Sequence, residues 1–411
     1  MAVVDSTDIA LDCEARSSAT APPVQVVVVA HEPGPWFEQA LTSLAAQDYP
    51  RYAVTVLLGE LDASDTDVGS ETDEEPDGRS VVAAQIRAAL PDADVRRVDS
   101  GLGYSETANE MLADSSPPAF YLFCHDDVVL SSDVVRLMVE EAIRSNASVA
   151  GPKIVDWDRP DVLLEVGLDV DKLGHPVSRI EEGELDQEQH DGVSDVFVVS
   201  GAAQLIRADL FHALDGFDAA MSVTGEDVDF CWRSHVAGAR VMVVPSAVVR
   251  HRSNAIQERR GQSDVERLSE RHRVRTLLSV YGFVHTLRVL PQAVLYSLLR
   301  IVGALLAGQF ALARSAVGAW TWNLRRPRSL LRRRRLLRQA RKVSDGEIRR
   351  LQVGGFAPVS SYLRGQFGSD GRGSLGARMR NVLEALRSGP SRLSLAFWAG
   401  TIVMMVFGSR H

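Results

Sequence analysis

The chain has 411 residues and a formal net charge of −9, with 45% hydrophobic and 24% charged side chains. That balance is globular and excludes a disordered chain. Three scattered cysteines (Cys13, Cys124, Cys231) exclude a disulfide framework and a CxxC zinc site, and suit reduced thiols. The net charge hides a split: residues 1–249 hold 15 basic and 46 acidic side chains (−31), whereas 250–411 hold 30 and 8 (+22). Such asymmetry predicts a basic segment with its own anionic partner, nucleic acid or membrane.

Residues 1–23 are polar and acidic, with neither the basic nor the apolar region of a signal peptide, and read as a disordered leader. Val24–Ala30 (VQVVVVA) is a short β-branched run, predicted as a buried parallel strand. A turn at His31–Pro35 and helical spacing over Trp36–Gln47 follow, then a second strand at Tyr52–Leu58. Glu60–Gly78 holds nine acids in nineteen residues and predicts a solvated loop. Helical spacing resumes over Ser80–Leu90, with a short strand at Val95–Val98. A Gly101-Leu-Gly103 turn then leads into a helix over Ser105–Leu112. Phe120–Cys124 (FYLFC) is a buried strand running into His125-Asp126-Asp127, and Ser132–Ser145 is a helix. Mixed elements follow: strands at Val149–Val155, Leu163–Gly167, Phe197–Ser200, Arg240–Val244 and Ala247–Arg250, and helices at Asp209–Leu214 and Glu226–Ala237. The order predicts an α/β domain over residues 24–255.

The character then changes. Val274–Val280 and Phe283–Trp322 are apolar and helical but interrupted by Pro291, Arg288, Arg300 and Arg314, so no stretch of eighteen residues is free of charge. That pattern favours interfacial or re-entrant helices over a spanning pair. Arg325–Lys342 carries ten basic residues in eighteen, interleaved with leucines rather than base-stacking aromatics. This favours an amphipathic helix on anionic lipid over nucleic acid, and puts the preceding domain on the cytosolic side. Residues 256–350 form this interfacial region and 351–392 a linker. Residues 393–408 are an uncharged apolar segment, a candidate transmembrane helix and the expected first span of a longer protein.

Three clusters carry chemistry. His125-Asp126-Asp127 ends a buried parallel strand, where open α/β sheets bind ligands, and adjacent carboxylates there suit Mn²⁺ or Mg²⁺ on a nucleotide's phosphates. Gly225-Glu226-Asp227-Val-Asp229 opens a helix, where acids alone could be dipole partners. Val248-Val-Arg250-His251 ends a strand in a histidine. There is no GxGxxG fingerprint and no GK[ST] phosphate loop, which lowers the case for a dehydrogenase or an NTPase.

Taken in order, strand–HDD, Ser200-Gly201-Ala202, Gly216-Phe217-Asp218, GEDVDFCWR (225–233) and VPSAVVRH (244–251) resemble the family 2 glycosyltransferases. These are inverting enzymes of GT-A fold, a Rossmann-like mixed sheet flanked by helices. Residues 24–50 resemble the family's opening strand, turn and helix. The resemblance implies Asp127 as the metal carboxylate with Asp126 beside it, and His125 where the family most often has Asp. It implies Asp227 as catalytic base with Glu226 as its neighbour, and His251 completing the metal sphere. Asp229 and Trp232 would line the acceptor side. His31, Glu32, and either Glu60 or Asp62 would lie near the nucleotide base, and Gly103, Asn109 and Gly201 would border the donor.

The implied activity moves a sugar from a UDP-, dTDP- or GDP-sugar to a lipid-linked or polymeric cell-envelope glycan. It would do so at the inner face of the cytoplasmic membrane, with Mn²⁺ or Mg²⁺ as cofactor and no nucleic-acid partner. RHRVR (271–275), the proline-containing apolar helix and the Arg-rich run are similar to the arrangement in actinobacterial members. A catalytically inactive GT-A module that binds glycan or scaffolds a membrane complex is the alternative. A nucleotide-sugar pyrophosphorylase would need a Gly-rich basic loop after the first strand, which His31–Pro35 does not offer.

Overall fold

The computed structural model describes residues 20–31, 33–60, 78–99, 101–253, 255–306 and 308–354. Most of the predicted leader and acidic loop, together with Glu32, Asp62, the 355–392 part of the linker and the candidate span 393–408, lie outside the described residues.

The first half alternates strand and helix: β1 (Val24–Ala30), α1 (Phe37–Ala45), β2 (Tyr52–Glu60), α2 (Gly78–Ala89), β3 (Asp94–Asp99), α3 (Tyr104–Ala108) and β4 (Phe120–His125). Next come β5 (Val128–Leu130), α4 (Val134–Arg144), β6 (Val149–Asp156), β7 (Leu163–Glu165), and the hairpin of β8 (Leu168–Val170) and β9 (Pro176–Ser178). The domain continues with β10 (Ser194–Asp195), β11 (Ala203–Arg207), α5 (Ala208–Ala213), α6 (Glu226–Val236) and β12 (Val241–His251). The main sheet runs β10-β12-β6-β11-β4-β1-β2-β3, with β5 also on β12 and β7 on β6. Strands β3, β2, β1 and β4 are parallel neighbours, and β11 is inserted antiparallel between β4 and β6. From β1 the chain steps outward to β2 and β3, then crosses to β4 on the other side. The carboxyl ends of β1 and β4 therefore flank a topological switch point, where such sheets bind ligands.

Period-2 alternation explains the two cores. Val26 and Val28 of β1 face a cluster with Leu41 and Leu44 of α1 and Met138 of α4, whereas Val27 and Val29 face Phe211, Phe230 and Trp232 on the other side. Two sequence expectations change here. Phe197–Ser200 contributes only an isolated bridge from Val198 to Leu168, and the strand forms a few residues later as β11, which covers the open edge of β4. The two strands expected at 240–250 are one, β12, with a register shift between Val244 and Val248 that accommodates Pro245.

Six helices follow: α7 (Ala255–Arg260), α8 (Gln262–Val280), α9 (Phe283–Leu306), α10 (Phe310–Leu324), α11 (Pro327–Ala340) and α12 (Asp345–Leu351). They do not form a separate body. Leu277, Tyr281, Val289, Tyr296, Leu337 and Ile348 belong to the same buried cluster as the second face of the sheet. Each such side chain contributes about 1.5–3 kcal/mol of burial. The Arg-rich run also differs from a simple lipid-facing helix. Leu337 enters the core, Arg333 is buried against Asp218 and Asp229, and Arg334 and Arg341 reach the Leu278 and Val280 carbonyls. Arg325, Arg326, Arg328, Arg332, Arg335 and Arg338 remain exposed. Among the described residues α9 alone is long and apolar enough to cross a membrane, by length and composition.

Candidate active site

The switch point opens into a pocket of about 470 Å³. The end of β1 supplies His31, the end of β4 supplies His125, Asp126 and Asp127, the start of α6 supplies Glu226 and Asp227, and the end of β12 supplies His251. These predicted residues, separated by up to 220 positions, line one cavity together with Gly103 and Gly201.

His125, Asp127 and His251 place their ligand atoms within 4.8 Å of one another. His251 Nε2 lies 3.3 Å and His125 Nδ1 3.8 Å from Asp127 Oδ1. That oxygen is buried and accepts no hydrogen bond. Burial works to raise the Asp127 pKa, but His251, His125 and Arg259 outweigh it and hold the carboxylate below its usual range. Burial pushes the His125 imidazole down to about 4, leaving a neutral ring with a lone pair to offer at pH 7. An orphaned carboxylate oxygen between two imidazoles fits a divalent cation. Two nitrogen donors suit Mn²⁺ better than Mg²⁺, which prefers an all-oxygen shell.

In the same pocket, the two acids of α6 differ in environment. Asp227 accepts hydrogen bonds from the Val228 and Gly201 amides, at 2.7 and 3.3 Å. Glu226 is buried and its Oε2 has no partner. Burial, reinforced by the neighbouring Asp227 charge, pushes Glu226 up to about 8. Burial also raises Asp227, with the two amides working against the shift. Two amides from neighbouring residues solvate a charge on Asp227, whereas Oε2 of Glu226 has no partner, so near neutrality the pair's negative charge belongs on Asp227.

The corner before α6 is conformationally demanding. Thr224 and Gly225 both have positive φ, 61° and 84°. Gly103 lets α3 approach this corner closely: a Cβ there would meet the Ser222 Cα at 2.3 Å, and the next residue donates its amide to the Ser222 carbonyl at 2.8 Å.

Several sequence expectations move. Asn109 does not line the pocket; it brackets Phe217, donating to its carbonyl at 3.0 Å and accepting its amide at 2.8 Å. Glu60 is the last residue of β2, and its neighbour Gly59 lines the pocket. Asp229 and Trp232 are not on an acceptor surface. Both are fully buried, and Asp229 holds the Arg233 guanidinium at 2.6 Å because its turn of α6 faces the core. Arg259, on α7, went unread in the sequence. Its guanidinium meets both Asp126 oxygens at 3.1 and 3.3 Å, the His31 carbonyl at 2.8 Å and the face of Trp36. Only its place in a basic dipeptide eight residues after His251 hinted at it.

A mixed sheet with acids gathered at its switch point is an architecture that binds ligands there. Residues 22–272 match the family described as "Glycosyltransferase like family 2", and the chain belongs to that family, with a GT-A fold. Pre-mycofactocin glycosyltransferases from two strains of Mycobacterium tuberculosis are each 40% identical over 83 residues, 19% of this chain and 17% of theirs. The match thus spans less than a fifth of those relatives' length. Among solved structures, GalNAc-T7 with UDP, GalNAc and Mn²⁺ aligns at a TM-score of 0.48 and 11% identity, covering 65% of this chain and 49% of that one. Staphylococcus aureus TarS 1–349 aligns at 0.43 and 16%, covering 78% and 92%.

Proposed function

We propose that the chain is an inverting glycosyltransferase, moving a sugar from a nucleotide-sugar donor to a lipid-linked or polymeric cell-envelope glycan at the cytosolic membrane face. The observation that carries this reading is the gathering of two unlike groups in one pocket. Asp227, charged and amide-solvated, lines the same cavity as the His125–Asp127–His251 cluster. Inversion needs one base in line with a departing diphosphate. The Asp227 carboxylate takes the proton of an acceptor hydroxyl as that oxygen bonds to the anomeric carbon. The bond from that carbon to the donor phosphate oxygen breaks, and its electron pair leaves with the nucleoside diphosphate. Glu226, neutral, does not compete for the proton and spares the pocket a second charge. His125, Asp127 and His251 would hold Mn²⁺, which when bound supplies positive charge against the leaving diphosphate. Asp126 and the His31 segment, bridged by Arg259, face the donor's nucleoside side, and most remaining rate comes from positioning the two sugars.

The membrane part of the reading is supported by α9 and by a run of 74 residues, 271–344, that holds 16 basic side chains and no acid. The departure from Asp at His125 does not favour an inactive module, because a neutral imidazole 3.8 Å from Asp127 is a competent ligand. The test is a panel of UDP-, dTDP- and GDP-sugars, scored by thermal shift and by donor hydrolysis with and without Mn²⁺. Stabilisation by one donor class, with hydrolysis lost in Asp227→Asn, supports the reading. No response to any donor overturns it.

A further inference from the structure

We propose that the α9–α10 hairpin docks flat on an anionic lipid leaflet and that α9 does not cross it. The inference deepens the membrane part of the proposed function and says how the surface is used. By length α9 could span: 24 residues make about 36 Å of helix, against a hydrocarbon core of about 30 Å. Its attachments forbid it. Along one stripe, from Val289 through Ala293, Tyr296 and Ser297 to Ala304, the helix is buried. Those contacts run the length of the apolar segment. The Tyr296 ring sits edge-on to His175, just before β9, with centroids 5.1 Å apart. Arg300 pairs with Glu270 of α8 at 2.8 Å, and Glu270 is itself clamped by Arg273 at 2.6 Å. Ser297 accepts from the Trp320 indole at 2.9 Å, tying α9 to α10, while Asn323 of α10 donates to the Arg271 carbonyl of α8 at 3.0 Å. A spanning α9 would carry α8, the β8–β9 hairpin and this ion triad into hydrocarbon, or tear free of them. Neither is compatible with the shared core.

The opposite stripe is free among the described residues. Only 28% of the most apolar stretch of α9 is buried. Phe283 (73% exposed), Leu287, Leu298, Leu305 and Phe310 (68%) follow one another along the hairpin, and Leu324 (67%) ends it. Charge names the occupant. Arg288 and Arg314 are exposed on these two helices and Arg325, Arg326 and Arg328 follow directly, with no acid from residue 271 to residue 344 to repel an anionic surface. An apolar face flanked by Arg288, Arg314, Arg325, Arg326 and Arg328 fits acyl chains under acidic headgroups. A second copy of the chain would bring the same positive rim against itself.

The experiment uses the full chain with Cys13→Ser, since Cys124 and Cys231 are buried. An environment-sensitive fluorophore is placed on a cysteine introduced at Leu287, Leu298 or Leu305. Each is added to phosphatidylcholine vesicles with or without 30% phosphatidylglycerol, carrying quenchers at a shallow or a deep acyl position. Flat docking predicts that all three labels are quenched best by the shallow probe, that shallow-probe quenching is equal to within about twofold, and that phosphatidylglycerol increases vesicle binding about tenfold or more. Deep quenching at Leu298 with shallow quenching at the two ends overturns it in favour of a span. Labels already shielded without lipid and unmoved by vesicles overturn it in favour of a contact between copies. Labels neither shielded nor quenched overturn it as well. Depth at these positions reports α9 whatever residues 393–408 do, and donor hydrolysis measured in lipid-free solution scores the sugar-transfer reading separately.

Discussion

His272 Nδ1 lies 2.7 Å from the Thr224 carbonyl, so a helix outside the sheet holds the corner that presents Glu226 and Asp227. A carbonyl only accepts, so Nδ1 carries the proton. One turn earlier, Ser269 Oγ meets Thr224 Oγ1 at 3.0 Å. Thr224 and Gly225 are the two consecutive left-handed residues from which α6 departs, and backbone of this kind persists only where its surroundings hold it. His272→Ala is expected to lower kcat about tenfold with the donor KM within twofold, and to cost ~1–3 kcal/mol of stability. His272→Asn, which can still donate, should recover most of kcat. Equal loss in both variants would mean the ring merely fills space.

Asp227→Asn should reduce transfer by about 10²–10⁴ while leaving donor binding intact, because it removes the base and keeps the shape. Glu226→Gln reproduces the neutral acid and should retain activity within about tenfold. Single-turnover transfer at saturating donor separates the two, and a reversed order would move the base to Glu226.

Mn²⁺ should raise the thermal midpoint of the wild type more than Mg²⁺ does. Saturation at about 100 times Kd corresponds to ~2.7 kcal/mol. His251→Ala and Asp127→Ala should abolish that shift without unfolding the chain, as read by circular dichroism before metal is added. A full shift in His251→Ala would remove the histidine from the ligand set.

Stability should fall on both sides of mildly acid pH, for opposite reasons. On the acid side, Asp218 and Glu270 are both held down to about 2: burial opposes the shift, but Arg333 and Arg275 outweigh it for Asp218, as do Arg273 and Arg300 for Glu270. Their contribution is complete above the unfolded carboxylate range near 4 and is lost as pH falls toward 2. On the other side, burial lifts Glu165 and Glu226 to about 8, so the unfolded chain releases protons that the folded one keeps. Stability therefore declines as pH rises from about 5 to 8. Urea titrations of Glu165→Gln should show a flatter decline over that window, by ~1 kcal/mol or more, and an unchanged slope would contradict the shift.

Gly103→Ala tests close approach rather than backbone freedom, since Gly103 has an ordinary negative φ of −80°. Its new methyl would meet the Ser222 backbone, which cannot yield like a flexible side chain. Overpacking of this kind costs ~1–3 kcal/mol and should displace the corner, with transfer lost before secondary structure. Retained activity would show that α3 can move aside.

What the sequence displayed was what local pattern encodes. VQVVVVA and FYLFC read as buried strands because β-branched and aromatic runs of that length have few other uses, and the acids after them read as ligands because a core would reject them. His125 and Asp127 were nameable in that way, Glu226, Asp227 and His251 through the resemblance to the family's motifs, and only folding brings the five together. Arg259 and His272 were not, because each acts through a partner tens to more than a hundred residues away, and no periodicity reports such a meeting. Asp229 and Trp232 misled for a related reason: α6 turns about 100° per residue, so two positions past Asp227 faces the core. The Arg-rich run misled in part, since arginines that clamp buried carboxylates look, in sequence, like arginines for lipid.

The buried arginines of the carboxyl-terminal helices set the size of the transferable module. The family match ends at residue 272, inside α8 and three residues before Arg275, which grips Asp218 at 2.6 and 2.9 Å. Arg333, 58 residues further on, lies 3.6 Å from Asp218 and 3.5 Å from Asp229. A chimaera spliced at the family boundary would strand Asp218 and strip Asp229 of a neighbouring cation inside the protein. Stranding a buried charge in this way costs about 3–5 kcal/mol. Grafting this enzyme's specificity onto another scaffold therefore means moving the chain through α11, because α8 and α11, on either side of the α9–α10 hairpin, carry the arginines that neutralise buried carboxylates of the sheet domain.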